Sequence, residues 1–339
     1  MAELRISMPL PDLSEQRLRF LRQIGVEAVT IPSRYSTEPV VPSGHLLVPP
    51  TRTTPVEVPS LAWSAEEFSR ICERVRAFDL EPMSTSLGIP ASILMGTPEL
   101  ETDLQAICGA VQAAGDAGIS GVNYTFTALR ASEGYRLREG GGRGSAGLRD
   151  FDYERIRDLP ALPTIGAHSE AEMWERLTRF LQTVIPVAEK AGVRLAAHPS
   201  DPPVPVYREV SQPLADFESM KRLIDVVDSP SNCIFYDTGV STEWGEDAVD
   251  VLHYFGSRQR IAAVHFRNVI VEEPRYRYVE TFVDEGDCDV AACMAAFKEV
   301  GYDGWIDPDH SPGIIDDGPE LRLGYTYAIG YIRALRDTC

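Results

Sequence analysis

Eight short runs of strand-forming residues alternate with eight longer helical patterns from one end of the chain to the other. The runs are Leu4–Met8, Ala28–Ile31, Pro82–Ser86, Gly121–Phe126, Arg194–His198, Cys233–Asp237, Ile261–Phe266 and Gly304–Asp309. Helical periodicity falls between and after them, near 14–24, 65–78, 99–117, 169–191, 214–228, 244–255, 289–300 and 322–336. The helix at 169 opens on Ser169-Glu170-Ala171-Glu172, the spacing of a capping box, and ends at Gly192. Eight such units without a break in composition predict one domain over residues 1–339, a closed parallel (β/α)8 barrel of the TIM type, in preference to a doubly wound sheet. Two stretches exceed ordinary loop length: residues 32–64, rich in proline, and 127–168, rich in glycine, arginine and aspartate. Both follow strands, which sets them over the carboxyl-end face of the barrel.

With 32 Lys and Arg against 51 Asp and Glu, the formal charge is −19. That balance argues against nucleic acid as a partner, since such binding rests on cations neutralising phosphates. The first ten residues lack the apolar run of a signal peptide, and no stretch approaches the roughly 18 apolar residues of a membrane span. A cytoplasmic protein without a membrane partner is the expectation. The six cysteines are scattered without a CxxC pair, as reduced thiols would be.

The last four strands end on chemistry. The fifth closes on Ala197-His198-Pro199, the sixth on Tyr236-Asp237-Thr238, the seventh on Val264-His265-Phe266 and the eighth on Pro308-Asp309-His310. Any one of these alone reads more simply as a hydrogen-bonded strand end or a helix N-cap. Barrel strands converge at their carboxyl ends, so His198, Asp237, His265 and Asp309 are expected to meet and hold one divalent metal. Two imidazoles and two carboxylates suit manganese, with magnesium, cobalt or iron(II) as alternatives. Open coordination positions would then remain for substrate oxygens.

Five segments, Val122-Asn123-Tyr124-Thr125-Phe126, His198-Pro199-Ser200-Asp201-Pro202-Pro203, His265-Phe266-Arg267-Asn268-Val269, Pro308-Asp309-His310 and Gly324-Tyr325, resemble in order and spacing the motifs of the mannonate dehydratase family. That family belongs to the xylose-isomerase-like barrels. The resemblance runs from about residue 110 onward and is weaker before it. It implies a manganese-dependent lyase that removes water from a six-carbon aldonate to give a 2-keto-3-deoxy acid. It also implies His198, His265 and Asp309 as ligands, with Asp237 where the family usually has cysteine. His310 and Tyr325 match the acid and base, and Arg267, Asn268, Asn123 and Tyr124 are candidates for substrate contact. A small sugar acid or sugar is the expected partner, and a homo-oligomer the expected assembly. Three departures stand out: Asp237 itself, Ser200 in place of an aspartate, and Asp307 where relatives commonly carry arginine. They leave a metal-dependent sugar isomerase or epimerase as the alternative, and a non-catalytic sugar-binding barrel as a second.

Gly142-Arg143-Gly144-Ser145-Ala146-Gly147 matches GxGxxG in form, but the charged run before it is no buried strand, so a flexible loop is expected there. Arg130, Arg136 or Arg143 from this region are candidates to grip a substrate anion. His253 and the four tryptophans read as packing residues, with Trp244 near enough to the sixth strand to reach the mouth. His45 and His168 receive no role.

Overall fold

The computed structural model describes residues 4–39 and 63–339. Eight parallel strands close into a barrel: β1 (Arg5–Pro9), β2 (Ala28–Ile31), β3 (Glu81–Leu87), β4 (Gly121–Thr125), β5 (Arg194–His198), β6 (Asn232–Asp237), β7 (Ile261–His265) and β8 (Trp305–Asp307), with β8 pairing β1. All eight fall where the apolar runs predict them. Strands covered on both faces read as near-continuous hydrophobic segments, so the signal is strong. The largest core cluster lies between strands and helices. A smaller one, made by Ala28, Met83, Ala196, Cys233, Phe235, Ala262, Ala263 and Trp305 from six barrel strands, fills the barrel.

The helices obey their end signals. Ser169 and Glu172 form the capping box of the helix Glu170–Ala191, which Gly192 ends in the left-handed conformation at φ 70°. The pattern near 244–255 resolves instead into two helices, Thr238–Glu243 and Ala248–Gly256, each capped by the aspartate before it, Asp237 and Asp247. An N-cap competes with helix continuation, so the second aspartate splits the run.

The stretch 127–168 differs from the expected flexible loop. It contains strands Tyr135–Arg138 and Leu148–Asp152, which join Val269–Glu273 and Arg277–Glu280 in a four-stranded antiparallel sheet. Tyr135–Arg138 pairs locally with Leu148–Asp152, but Leu148–Asp152 is also held by a partner well over a hundred positions away, with Arg149 opposite Glu280 and Phe151 opposite Tyr278. No local periodicity reports such pairing. The glycine-rich hexapeptide is the turn of this structure, with Gly144 at φ 60°. The proline-rich insertion from residue 40 to 62, and His45 with it, lies outside the described residues. Among the described residues no helix is long and apolar enough to cross a membrane.

Candidate metal centre and active site

Register aligns the strand ends. Asp237 pairs directly with His265 across β6 and β7, and His265 with Asp307 across β7 and β8. His198 Nε2 lies 3.0 Å from His265 Nδ1. Asp237 Oδ2 lies 3.5 Å from the first and 3.3 Å from the second. Asp309 Oδ1 stands 3.6 Å from His265 Nδ1. Ligand atoms held at about 2.1 Å from one ion are separated by roughly 3.0 to 3.4 Å, so the spacings among His198, Asp237 and His265 come close to those around a shared cation, and Asp309 borders the group through His265. His198 Nδ1 donates to the Pro199 carbonyl at 2.7 Å, which turns the bare Nε2 toward the cluster. Phe235 packs beneath both rings, at 5.2 and 4.1 Å between centroids. The His198, His265, His310 and Asp309 side chains keep between 13% and 19% of their surface open, enough for a small ligand to reach them.

Asp237 shows that a strand-end aspartate can cap a helix and face a candidate metal position together. Its Oδ1 accepts the Val240 N–H at 2.8 Å, while Oδ2 points at the histidines. Burial alone would raise its pKa, but Arg267 and the two imidazoles hold it well below the carboxylate range. Asp309 is likewise held down against burial by His265 and His310. For His265, burial disfavours the charged form, yet Asp309 and Asp237 outweigh it and raise the pKa to about 9.

Behind this cluster lies a buried charge network. Arg267 donates from Nε to Asp237 at 3.1 Å, from Nη1 to Glu243 at 2.8 Å and from Nη2 to Asp201 at 3.2 Å, and its Nε also lies 3.2 Å from Asp309. It packs so closely over Gly239 that a Cβ there would sit 2.7 Å from the guanidinium carbon. Asp201 accepts further hydrogen bonds from Tyr135 at 2.7 Å and Tyr278 at 3.2 Å. Against burial, Arg267, His310 and Arg149 bring its pKa to about 2. Glu243 goes the other way, pushed well up by burial and by Asp201 and Asp237 despite Arg267.

His310 Nε2 sits between a donor and an acceptor, 2.7 Å from Arg149 Nη2 and 2.9 Å from Asp309 Oδ2. The Tyr325 hydroxyl donates at 2.7 Å to the carbonyl of Asp309, which is itself held at φ 55°. Asp307 does not project into the site as free repulsive charge. Its Oδ1 accepts the Asp309 N–H at 2.9 Å, and burial raises its pKa to about 7 although His265 opposes this.

Several sequence expectations need correction. Asn268 is not available to a substrate: its amide donates to the Val283 and Cys288 carbonyls and accepts from the Val269 and Cys288 N–H groups. Tyr124 turns outward onto Phe180, at 5.2 Å between centroids, because alternation along β4 sends it away from the barrel interior. Asn123 faces inward, with its amide on Ser84 and its Oδ1 buried without a partner. Arg267 is spent on carboxylates. Arg143 pairs with Asp284 and Glu285 and lies over Phe282, so it pins the hairpin instead of reaching the mouth. Arg136 bonds to the Glu133 and Tyr135 carbonyls, and Trp244 stacks on Phe217. Sequence reasoning missed Arg149, Glu280 and Glu243, and passed over Asp201 although it lies inside the HPSDPP motif.

Fold and site together define a (β/α)8 barrel with a candidate nitrogen and oxygen ligand cluster, His198, Asp237 and His265, at the carboxyl ends of β5 to β7. The family model described as D-mannonate dehydratase (UxuA) matches residues 161–338, more than half of the chain. The protein belongs to that family. Mannonate dehydratase of Enterococcus faecalis is 32% identical over 201 residues, 56% of this chain and 55% of that protein, so the chain spans about half of that relative. The Thermotoga maritima mannonate dehydratase is 28% identical over 309 residues, 81% of this chain and 84% of its own. The crystal structure of mannonate dehydratase from Streptococcus suis serotype 2 superposes with a TM-score of 0.80 at 21% identity, covering 100% of this chain and 94% of the other.

Proposed function

We propose that this protein is a divalent-metal-dependent hydro-lyase that dehydrates a mannonate-like aldonate to its 2-keto-3-deoxy acid. The observation that carries this reading is the convergence of His198, Asp237 and His265, with Asp309 against His265, in a member of the mannonate dehydratase family. These four would hold the ion, and their two carboxylates favour a hard cation such as manganese over softer metals. When bound, the ion supplies electrophilic polarisation of the acid's oxygens and offsets the negative charge that builds as the C2 proton leaves.

The protein's own groups move the protons. One accepts the proton from C2; another delivers one to the C3 hydroxyl, which departs as water, and the resulting enol becomes the keto acid. His310 and Tyr325 are assigned these parts because they flank Asp309. The position of His310 Nε2 between Arg149 and Asp309 supports the assignment, since each protonation state finds a partner there. Incubation of the manganese-loaded protein with D-mannonate and related aldonates should yield 2-keto-3-deoxy acids. A ketose or an epimer formed without loss of water would replace the dehydratase reading with an epimerase.

Metal binding is expected to be proton-linked. A ligand imidazole must be neutral, and in the metal-free protein the His265 pKa of about 9 leaves it protonated at pH 7. Loading the ion should therefore release about one proton at pH 7 and essentially none above about pH 10. Affinity should rise roughly tenfold per pH unit between pH 7 and about 9, then level off. Calorimetry in buffers of different ionisation enthalpy measures this, and an enthalpy independent of the buffer would contradict it.

A further inference from the structure

Two guanidiniums are buried at the mouth of the barrel, and they differ in what they have left to give. Arg267 uses all three nitrogens on Asp201, Asp237 and Glu243. Arg149 is as buried, at 2% exposure, but its hydrogen bonds all run through Nη2, to Glu280 and His310. Its Nε is enclosed without a partner. A buried N–H left unmade is costly, so one retained beside a candidate proton-transfer group points to an acceptor that arrives with the ligand.

The surroundings say what kind of acceptor. Asp201, Glu280 and His310 lie close enough together to suggest a second cation position. Arg149 Nη2 already occupies it, 2.7 Å from His310 Nε2 and against the Glu280 carboxylate, so a guanidinium neutralises this group. Its orientation is set from outside the barrel. It is carried by the strand Leu148–Asp152, lies 4.5 Å from the Tyr135 ring centroid and faces Glu280 across the antiparallel register. Asp201, Glu280 and Asp309 all lie within 4.0 Å of His310 Nε2, so an acid substrate bound beside His310 meets carboxylates on several sides and needs a cation with donors free.

We propose that Arg149 receives the carboxylate of the acid substrate and so sets the preference for an aldonate over a neutral sugar or polyol. The identity of that acid rests on the dehydratase reading; the anion site itself does not.

The test compares D-mannonate with mannitol, its neutral six-carbon counterpart, on manganese-loaded wild type, Arg149→Lys and Arg149→Gln. The KM for mannonate should rise about 10- to 100-fold in Arg149→Gln and less in Arg149→Lys, with the inhibition constant of mannitol within about twofold of wild type. If Arg149→Gln does not fold, the double variant Arg149→Gln/Glu280→Gln removes the pair together and is measured instead. A fall in kcat at unchanged KM, showing that Arg149 acts only through His310, overturns the proposal. Equal weakening of mannonate and mannitol, the mark of a purely structural role, also overturns it. Should the wild type dehydrate no aldonate, both compounds are titrated by calorimetry. Binding of mannonate alone that depends on Arg149 then upholds the anion site while the dehydratase reading falls, and binding indifferent to Arg149 sinks the anion site.

Discussion

Replacing His198 with alanine is expected to leave the purified protein without retained manganese and to lower aldonate dehydration by at least about 10³-fold. The reasoning is geometric. His198 Nε2, Asp237 Oδ2 and His265 Nδ1 make three edges of 3.0 to 3.5 Å, and deleting one corner leaves an incomplete ligand set. Metal polarisation contributes several kcal/mol to reactions of this kind, about 1.4 kcal/mol per tenfold in rate. The fold should be little affected, because the His198 ring makes a single backbone hydrogen bond, to Pro199. Metal content after dialysis, product formation and a melting curve on one preparation test all three statements. Full metal retention with unchanged turnover would remove His198 from the centre.

The second large effect falls on stability. Arg267→Met deletes the cation that holds Asp201, Asp237 and Glu243 in a protein interior where its own side chain is 2% exposed. Buried charges stripped of their partner cost about 3–5 kcal/mol, which for a chain of this size is a fall in melting temperature of roughly 4–7 °C. The deficit should depend on pH in a definite direction. Asp201 has its folded pKa depressed to about 2, so its stabilising contribution is present above the ordinary carboxylate pKa near 4 and is lost as pH falls through about 2. The gap between wild type and variant should therefore be full at pH 7 and shrink between about pH 4 and 2. An equal gap at pH 7 and pH 3 would assign the loss to packing over Gly239 instead of charge.

The barrel was legible because each of its strands is apolar along its length and each helix is punctuated by caps, as at Ser169 and Gly192. The strand-end candidates were legible for a related reason. Parallel strands must deliver their last residues to one face, so His198, Asp237, His265 and Asp309 could be named without knowing any distance. Their neighbours were harder to read. Asn268 and Tyr124 stand in motif-like strings, but only the folded chain shows one amide consumed by loop backbone and one ring turned onto Phe180.

The sequence by itself determined the number and direction of the barrel strands and that His198, Asp237 and His265 stand at their carboxyl ends, because burial on both faces and convergence at strand ends are written in local pattern. Only the tertiary structure decided how the surplus of negative charge behind the overall −19 is managed at the site. Arg149 meets Glu280 across a register that joins segments more than a hundred residues apart, and Arg267 gathers three acids, from the loop after β5, the end of β6 and the helix that follows β6. Such pairings carry no local periodicity, since what selects them is closure of the barrel and of the sheet beside it. Asp307, which looked like repulsive charge beside a metal, proved to hold the Asp309 N–H, and the cation for an acid substrate is sought instead on Arg149.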